Sequence, residues 1–422
     1  AVATVETFIA GGGQGEVYKA LLGGSPLALK WYYPDQAKPD QRANLERLIH
    51  MGKPSDRFMW PIDLATAPGV QGFGYLMPLL PPGFKGIVDL MKRRTEPDFR
   101  ALVTVCYYLA HEFLNLHTKG YCYRDISFGN VQFDPKTGEL LILDNDNVGV
   151  DGKDGGGVLG TPRFMAPEVV RGEAMPSSKT DLFSLAILLF YLLCVSHPLE
   201  GKREATIKCF DMPAMTKLYG TDPLFIFDPS NGANRPVPGV HDNALAFWPL
   251  YPEFIKNLFI RSFTAGIKDP VNGRVRESEW RKAMLQLRDL IFNCGHCGAE
   301  NFLDPGRGTP QGSEKCWRCK KDITPPLRIR IGKNLVLLNS GVQLFPHHID
   351  DTRMFDFSAP VAQVAVNPTD PKIWGLKNLS TEKWAIQIDD GPWQDVTPGK
   401  NARIRPGLKI QWGSTTGEII NG

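Results

Sequence analysis

Up to about residue 98 the chain opens with strand-like segments separated by glycine-rich turns. After Asp98 the spacing becomes helical. Leu182 to Val195 is the longest apolar stretch, 14 residues including Ser184. A membrane helix needs about 20, so this run predicts a buried core helix and no membrane partner. Beyond about residue 326 the pattern changes again. LRIRIG, NLVLL, VAQVAV, KWAIQI and LKIQWG are short alternations bounded by Gly, Pro, Asn and Asp, which predict an all-β sandwich or barrel. No internal repeat or low-complexity linker interrupts the chain. A length of 422 residues predicts two or three domains, because single cores seldom grow past roughly 250–300 residues. The expected division is 1–293, 294–325 and 326–422.

Net charge is +3, so no large basic field points to nucleic acid as the main partner. The first residues lack the cationic, apolar and small-residue sequence of a secretory signal. Of eight cysteines, Cys106, Cys122, Cys194 and Cys209 are scattered in apolar contexts typical of buried thiols. The other four form two CxxC pairs. That usage predicts reduced, cytoplasmic protein.

The candidate chemistry lies in five segments. Ile9 to Lys19, IAGGGQGEVYK, is a glycine cluster between strands, and Lys30 closes the run LALK. Tyr123 to Asn130 reads YRDISFGN, Asp144 follows a predicted strand-turn-strand, and Gly160 to Glu168 reads GTPRFMAPE. Asp125 and Asn130 are five residues apart, and Asp144 lies fourteen beyond Asn130. This spacing can set a proton acceptor beside two oxygen ligands for magnesium, which phosphoryl transfer requires. Lacking side chains, Gly12 and Gly15 let backbone N–H groups approach phosphates.

In this order the segments resemble those of protein kinases, which implies an α+β, bilobal protein-kinase fold. The resemblance implies that Lys30 holds the phosphates of ATP and that Glu46, in the helical stretch Arg42 to His50, orients Lys30 by an ion pair. An exposed helix-face position is the alternative for Glu46. Asp125 becomes the catalytic base, with Asn130 and Asp144 holding Mg2+. GYLMPLL (Gly74 to Leu80) resembles the hinge between lobes, with Met77 as gatekeeper and backbone groups of Pro78 and Leu80 facing adenine. Val17 and Ala28 would roof the purine. Gln132 takes the usual apolar floor position. Thr161 falls at the substrate site. Asp181 matches the aspartate that anchors the catalytic loop, and Glu168 would pair with Arg274.

Several positions depart from the family. Ala10 replaces the first glycine of the phosphate loop, Tyr123 the usual histidine, and Ser127 the lysine of Ser/Thr kinases. Asp144-Asn145-Asp146 replaces Asp-Phe-Gly. A polar column of His50, Asn145 and Tyr123 is one expectation, and side chains turned to water the other. The run from Asn145 to Gly160, NDNVGVDGKDGGGVLG, contains no Ser, Thr or Tyr. A phosphate on this loop therefore cannot pair with Arg124 as a switch. Asp151 or Asp154 would be a permanent anionic partner for Arg124; the alternative is a mobile loop.

Cys294-Gly-His-Cys297 and Cys316-Trp-Arg-Cys319 give CxxC-x18-CxxC. Two such knuckles predict a tetrahedral four-cysteine Zn2+ site, structural because no coordination position stays open. In so short a segment the metal would supply most of the folding energy. Trp374 to Ser380 and Ala402 to Gly413 resemble the closing strands of forkhead-associated (FHA) domains. Gly332-Lys333-Asn334 and Pro346-His347-His348 are poor substitutes for a phosphate-reading pair, so protein docking is expected over phosphopeptide reading. With the DND triplet, this tail resembles bacterial kinases of tellurite-resistance-associated phosphorylation triads. That resemblance implies a von Willebrand factor A protein as substrate or partner, and an associated phosphatase. Two rival readings stay open: a nucleotide-binding pseudokinase scaffold that docks partners through its tail, and a small-molecule phosphotransferase, which usually lacks an APE segment.

Overall fold

The computed structural model describes residues 1–152, 159–305 and 314–421. The chain forms two compact units: Ala1–Pro249 with Phe254–Met284, and Leu250–Glu253 with Leu285–Gly422.

The first unit begins with a five-stranded antiparallel sheet of β1 (Ala3–Gly11), β2 (Gly15–Leu22), β3 (Ser25–Tyr32), β4 (Asp63–Ala67) and β5 (Val70–Pro78), ordered β1-β2-β3-β5-β4. Register decides which side chains share a face. Lys30 lies opposite Val17 on β2 and Tyr75 on β5, and Ala28 lies opposite Met77. Strand side chains alternate, so Val17, Ala28, Lys30, Tyr32, Tyr75 and Met77 occupy one face. On that face Tyr32, Phe73 and Tyr75 form a core with Leu45, and Met77 packs against it. Ala20, Leu29 and Leu76 make a separate core on the other.

Helix α1 (Pro39–Met51) starts with proline in its first turn and stops at Gly52, where φ is 75°. It buries Leu45 and Leu48. Each such burial is worth about 2 kcal/mol, and their three-residue spacing fixes which face meets the sheet.

The rest of the unit is mainly helical. Phe99–Thr118 and Ser178–Cys194 are its long helices. Ser177 caps the second by accepting from the Thr180 N–H. The predicted core helix is thus present, and 14 of its residues are buried. Among the described residues, no helix is long and apolar enough to cross a membrane.

Among the described residues, the second unit holds two hairpins and two larger sheets. Ile291–Asn293 pairs with Glu300–Phe302, and Glu314–Lys315 with Asp322–Ile323. One sheet has six strands, in the order Asn334–Leu337, Arg328–Ile331, Thr415–Ile420, Lys409–Trp412, Trp384–Gln387 and Gln394–Val396. The other has four: Gln343–Leu344, Ala362–Val366, Trp374–Asn378 and Asn401–Arg403. The strands in both sheets pair antiparallel. Alternate residues, among them Ile329, Ile331, Val364, Leu376, Trp384, Ile410 and Trp412, make one shared core.

Candidate active site

Lys30 is buried on β3 and its ammonium faces two carboxylates. Nζ lies 2.9 Å from Asp146 Oδ2 and 3.4 Å from Asp144 Oδ1. Burial opposes its charge, but the fields of Asp146 and then Asp144 outweigh this and hold the Lys30 pKa above its usual value. Nζ also donates to Gln14 Oε1 at 3.2 Å, from the turn between β1 and β2. Within that turn the Gly12 N–H donates to the Gly15 carbonyl, 2.9 Å away. Gly15 has no room for a side chain: a Cβ there would come 2.1 Å from the Trp31 carbonyl oxygen. Nothing crowds Gly12.

Glu46 requires a correction. It does not meet Lys30: its carboxylate bonds to Arg42 Nε at 3.1 Å and its side chain is 56% exposed. The inward face of α1 carries Gln41, Asn44, Leu45 and Leu48, and a helix turns about 100° per residue, so position 46 points away. His50 is exposed for the same reason, which removes it from the expected polar column. The other two members are buried. Asn145 Nδ2 donates to the carbonyls of Met59 (3.0 Å) and Ile142 (2.9 Å), and the Tyr123 hydroxyl donates to the Leu143 carbonyl.

The carboxylate at Lys30 that sequence reasoning missed is Asp146. It is fully buried, and Oδ2 also accepts from the Tyr32 hydroxyl. The Asp146 carbonyl accepts from Asn44 Nδ2 at 2.7 Å and Gln41 Nε2 at 3.3 Å. An acid two places after a metal-ligand candidate was the available signal, together with the Leu45/Leu48 face that turns Glu46 outward.

Asp125 sits on a loop whose backbone is fixed from behind. Asp181, buried at the start of helix Ser178–Cys194, accepts from the N–H groups of Tyr123 (2.5 Å) and Arg124 (3.1 Å). His117 Nε2 meets the same carboxylate at 3.1 Å, and His117 Nδ1 bonds to Glu277. These contacts hold Arg124 at φ 73° and thereby aim Asp125. Asp125 Oδ1 accepts from Thr161 Oγ1 at 3.2 Å, and its carbonyl accepts from Asn130 Nδ2 at 2.6 Å. Burial raises the Asp125 pKa; Thr161 lowers it, while the charges of Asp144 and Asp146 raise it further. Such an acid is a stronger base when ionised.

Asp144 lies at φ 47°, left-handed for a residue with a side chain, and its carboxylate is 46% exposed. The half-open Asp144 carboxylate and the Asn130 amide carry oxygens of the kind magnesium takes. Gln132 is partly buried, and its amide covers Gly86, where a Cβ would come within 3.0 Å of Nε2. Ala28 is buried, while Val17, Met77, Pro78 and Leu80 are partly buried. Glu168 pairs with Arg274 at 2.8 Å. Asp151 bonds to the N–H (2.8 Å) and hydroxyl (2.5 Å) of Ser178, and Arg124 Nη2 donates to the Val150 carbonyl at 3.4 Å. Asp154 lies outside the described residues.

In the second unit Cys294, Cys297, Cys316 and Cys319 bring their sulfurs within 4.8 Å of one another. The two halves repeat one turn. The N–H of Cys294 donates to the Ala299 carbonyl and that of Gly298 back to Cys294; Cys316, Lys321 and Lys320 do the same. Gly298 and Lys320 supply the left-handed corner, at φ 74° and 61°. Sγ pairs Cys294–Cys319 and Cys297–Cys316 are 3.7 Å apart. That is far beyond a disulfide, and it matches the edge of a tetrahedron with Zn–S bonds of about 2.3 Å. His347 and His348 are buried. His348 accepts from the Phe345 N–H and faces Asp289, while burial and then His348 lower the His347 pKa to about 4. Lys333 pairs with Asp351 at 2.8 Å.

A family model, the protein kinase domain, matches residues 4–225. Similar proteins include the DNA damage-responsive serine/threonine-protein kinase RqkA of Deinococcus radiodurans, 28% identical over 204 residues, 46% of this chain and 30% of that protein. The cell cycle serine/threonine-protein kinase CDC5/MSD2 of Saccharomyces cerevisiae is 30% identical over 152 residues, 32% of this chain and 20% of that one. A probable serine/threonine-protein kinase, CCRP1 of Zea mays, is 32% identical over 117 residues, 26% and 18% respectively. The chain thus spans less than a third of the length of each.

Proposed function

The chain belongs to the protein kinase domain family, and on that premise we propose that it transfers the γ-phosphoryl group of ATP to serine or threonine of a partner protein. The observation that carries this reading is Lys30 against Asp144 and Asp146, with Asp125 held on a rigid loop near enough to feel the charges of all three. Bound MgATP supplies the phosphoryl group, and the metal offsets the charge that develops on it. Asp125 orients the substrate hydroxyl and accepts its proton, with its raised pKa favouring uptake. Thr161, bonded to Asp125, lies where that hydroxyl must approach. Lys30 holds the nucleotide phosphates; Asn130 and Asp144 are the magnesium ligands. Gly12 and Gly15 let the phosphate turn come close, Val17, Ala28 and Gln132 line the base, and Met77, Pro78 and Leu80 form its hinge side. Cys294, Cys297, Cys316 and Cys319 hold a structural zinc.

The resemblance of the DND triplet and tail to the triad kinases supports a von Willebrand factor A protein as the partner. The buried, neutral His347 and the Lys333–Asp351 pair favour docking by the β-domain over phosphothreonine reading. A radiolabelled-ATP assay tests the whole reading. Asp125→Ala should abolish transfer while nucleotide still binds, and Asp144→Ala should lose magnesium-dependent binding too. Wild-type turnover by Asp125→Ala refutes the assignment. A wild-type protein that binds nucleotide without any transfer identifies the scaffold reading instead.

A further inference from the structure

A lysine as buried as Lys30 keeps its charge only beside a fixed carboxylate. Helix α1 packs against this region yet offers none: its two acids, Asp40 and Glu46, are both exposed. Asp144 reaches Lys30 only at 3.4 Å and stays half open to solvent. Asp146 is different in every respect. It has no exposed side-chain surface, lies 2.9 Å from Nζ, and accepts a second bond from Tyr32 on the same oxygen. Its other oxygen, Oδ1, has no hydrogen-bond partner among the described residues, so Lys30 and Tyr32 together compensate the buried charge.

The backbone beneath Asp146 is pinned from several sides. Asn145 is tied to the Met59 and Ile142 carbonyls, and α1 grips the Asp146 carbonyl through Asn44 and Gln41. Asn44 also donates to the Val148 carbonyl at 3.2 Å, and Gln41 to the Tyr32 hydroxyl at 3.0 Å. Among the described residues, the helix thus meets the Asp146 turn through neutral amides that splint it.

We infer that Asp146 is the positioning residue that holds Lys30 toward the nucleotide, so that no carboxylate of helix α1 is needed for the task. The inference rests on the reading that this cleft binds ATP. Its regulatory consequence is specific. The lysine clamp assembles with the turn that carries Asp144, and rotation of α1 would act on it by releasing the four hydrogen bonds that the Asn44 and Gln41 side chains donate.

The test reads binding of a fluorescent ATP analogue with magnesium to full-length protein, for wild type, Asp146→Asn, Glu46→Ala, Lys30→Met and Asp146→Asn with Lys30→Met. Asp146→Asn should weaken binding about tenfold to a hundredfold, the range for losing one charged hydrogen-bond partner. Glu46→Ala should stay within about twofold, as surface ion pairs contribute little. In the Lys30→Met background Asp146→Asn should add nothing, because an effect carried through Lys30 is non-additive. A purely structural Asp146 would instead add its full loss there, and that outcome overturns the inference. So does wild-type binding by Asp146→Asn with weakened binding by Glu46→Ala. Should Asp146→Asn fail to fold, Tyr32→Phe replaces it: a few-fold loss that vanishes with Lys30→Met supports the inference, and no loss overturns it. Absence of binding by the wild type refutes the ATP reading itself.

Discussion

His117 lies between the carboxylates of Asp181 and Glu277, and that geometry sets how the first unit should respond to pH. Burial works against a charged imidazole there, but the bonds to Asp181 and Glu277 outweigh it and raise the His117 pKa from 6.5 to about 9. Burial likewise opposes ionised Glu277, yet the His117 bond holds its pKa below the usual value, consistent in sign. A pKa raised in the folded state adds stability that is fully present below the unfolded value and disappears as pH climbs through the folded one. At about 1.4 kcal/mol per pH unit, the rise from 6.5 to about 9 is worth about 3 kcal/mol. That contribution should be complete at pH 6, decline from about 6.5 upward, and be gone near pH 10. His117→Gln removes the titrating group while keeping a polar side chain. Urea unfolding, followed by tryptophan fluorescence at pH 6, 7.5, 9 and 10, should show the wild-type advantage over His117→Gln shrinking by about 3 kcal/mol across the series. Groups away from His117 titrate alike in both proteins and cancel in this difference. Parallel pH profiles for the two proteins would refute the charged-histidine assignment. The same carboxylate of Asp181 fixes the Tyr123 and Arg124 backbone, so the loop carrying Asp125 should loosen with it.

Metal analysis of purified protein should find about one zinc per chain, as a single four-cysteine site requires; full occupancy in Cys316→Ser/Cys319→Ser would sink the site. Phosphatase treatment should barely change the transfer rate, because the run from Asn145 to Gly160 has no hydroxyl to carry a phosphate. A silenced enzyme would mean that an activating phosphosite lies elsewhere. Removing residues 326–422 should spare phosphorylation of short peptides and greatly weaken phosphorylation of the protein partner; equal losses on both would reject a docking role for the β-domain.

Much of the molecule is dictated by short-range pattern. Strand-like runs between glycine-rich turns mark the first sheet, period-two alternation marks the strands of the second unit, and the long apolar run marks helix Ser178–Cys194. CxxC pairs determine their own knuckles, since each turn closes within five residues by its own backbone bonds, and Gly298 fits the left-handed corner of the first. The Asp125–Asn130 spacing places an amide on the Asp125 carbonyl for the same local reason. Lys30's partner was not decided locally. Position along α1 suggested Glu46, but the face of a helix that meets its neighbours is chosen by burial of Leu45 and Leu48, and that choice turns Glu46 and His50 to solvent. Asp146 is 116 residues from Lys30 in sequence, and only the packing of the 145–147 turn against β3 and α1 brings the two charges within 2.9 Å. A buried ion pair is worth having only where both members are desolvated together, which no spacing along one chain segment can specify. Tertiary structure alone made that choice.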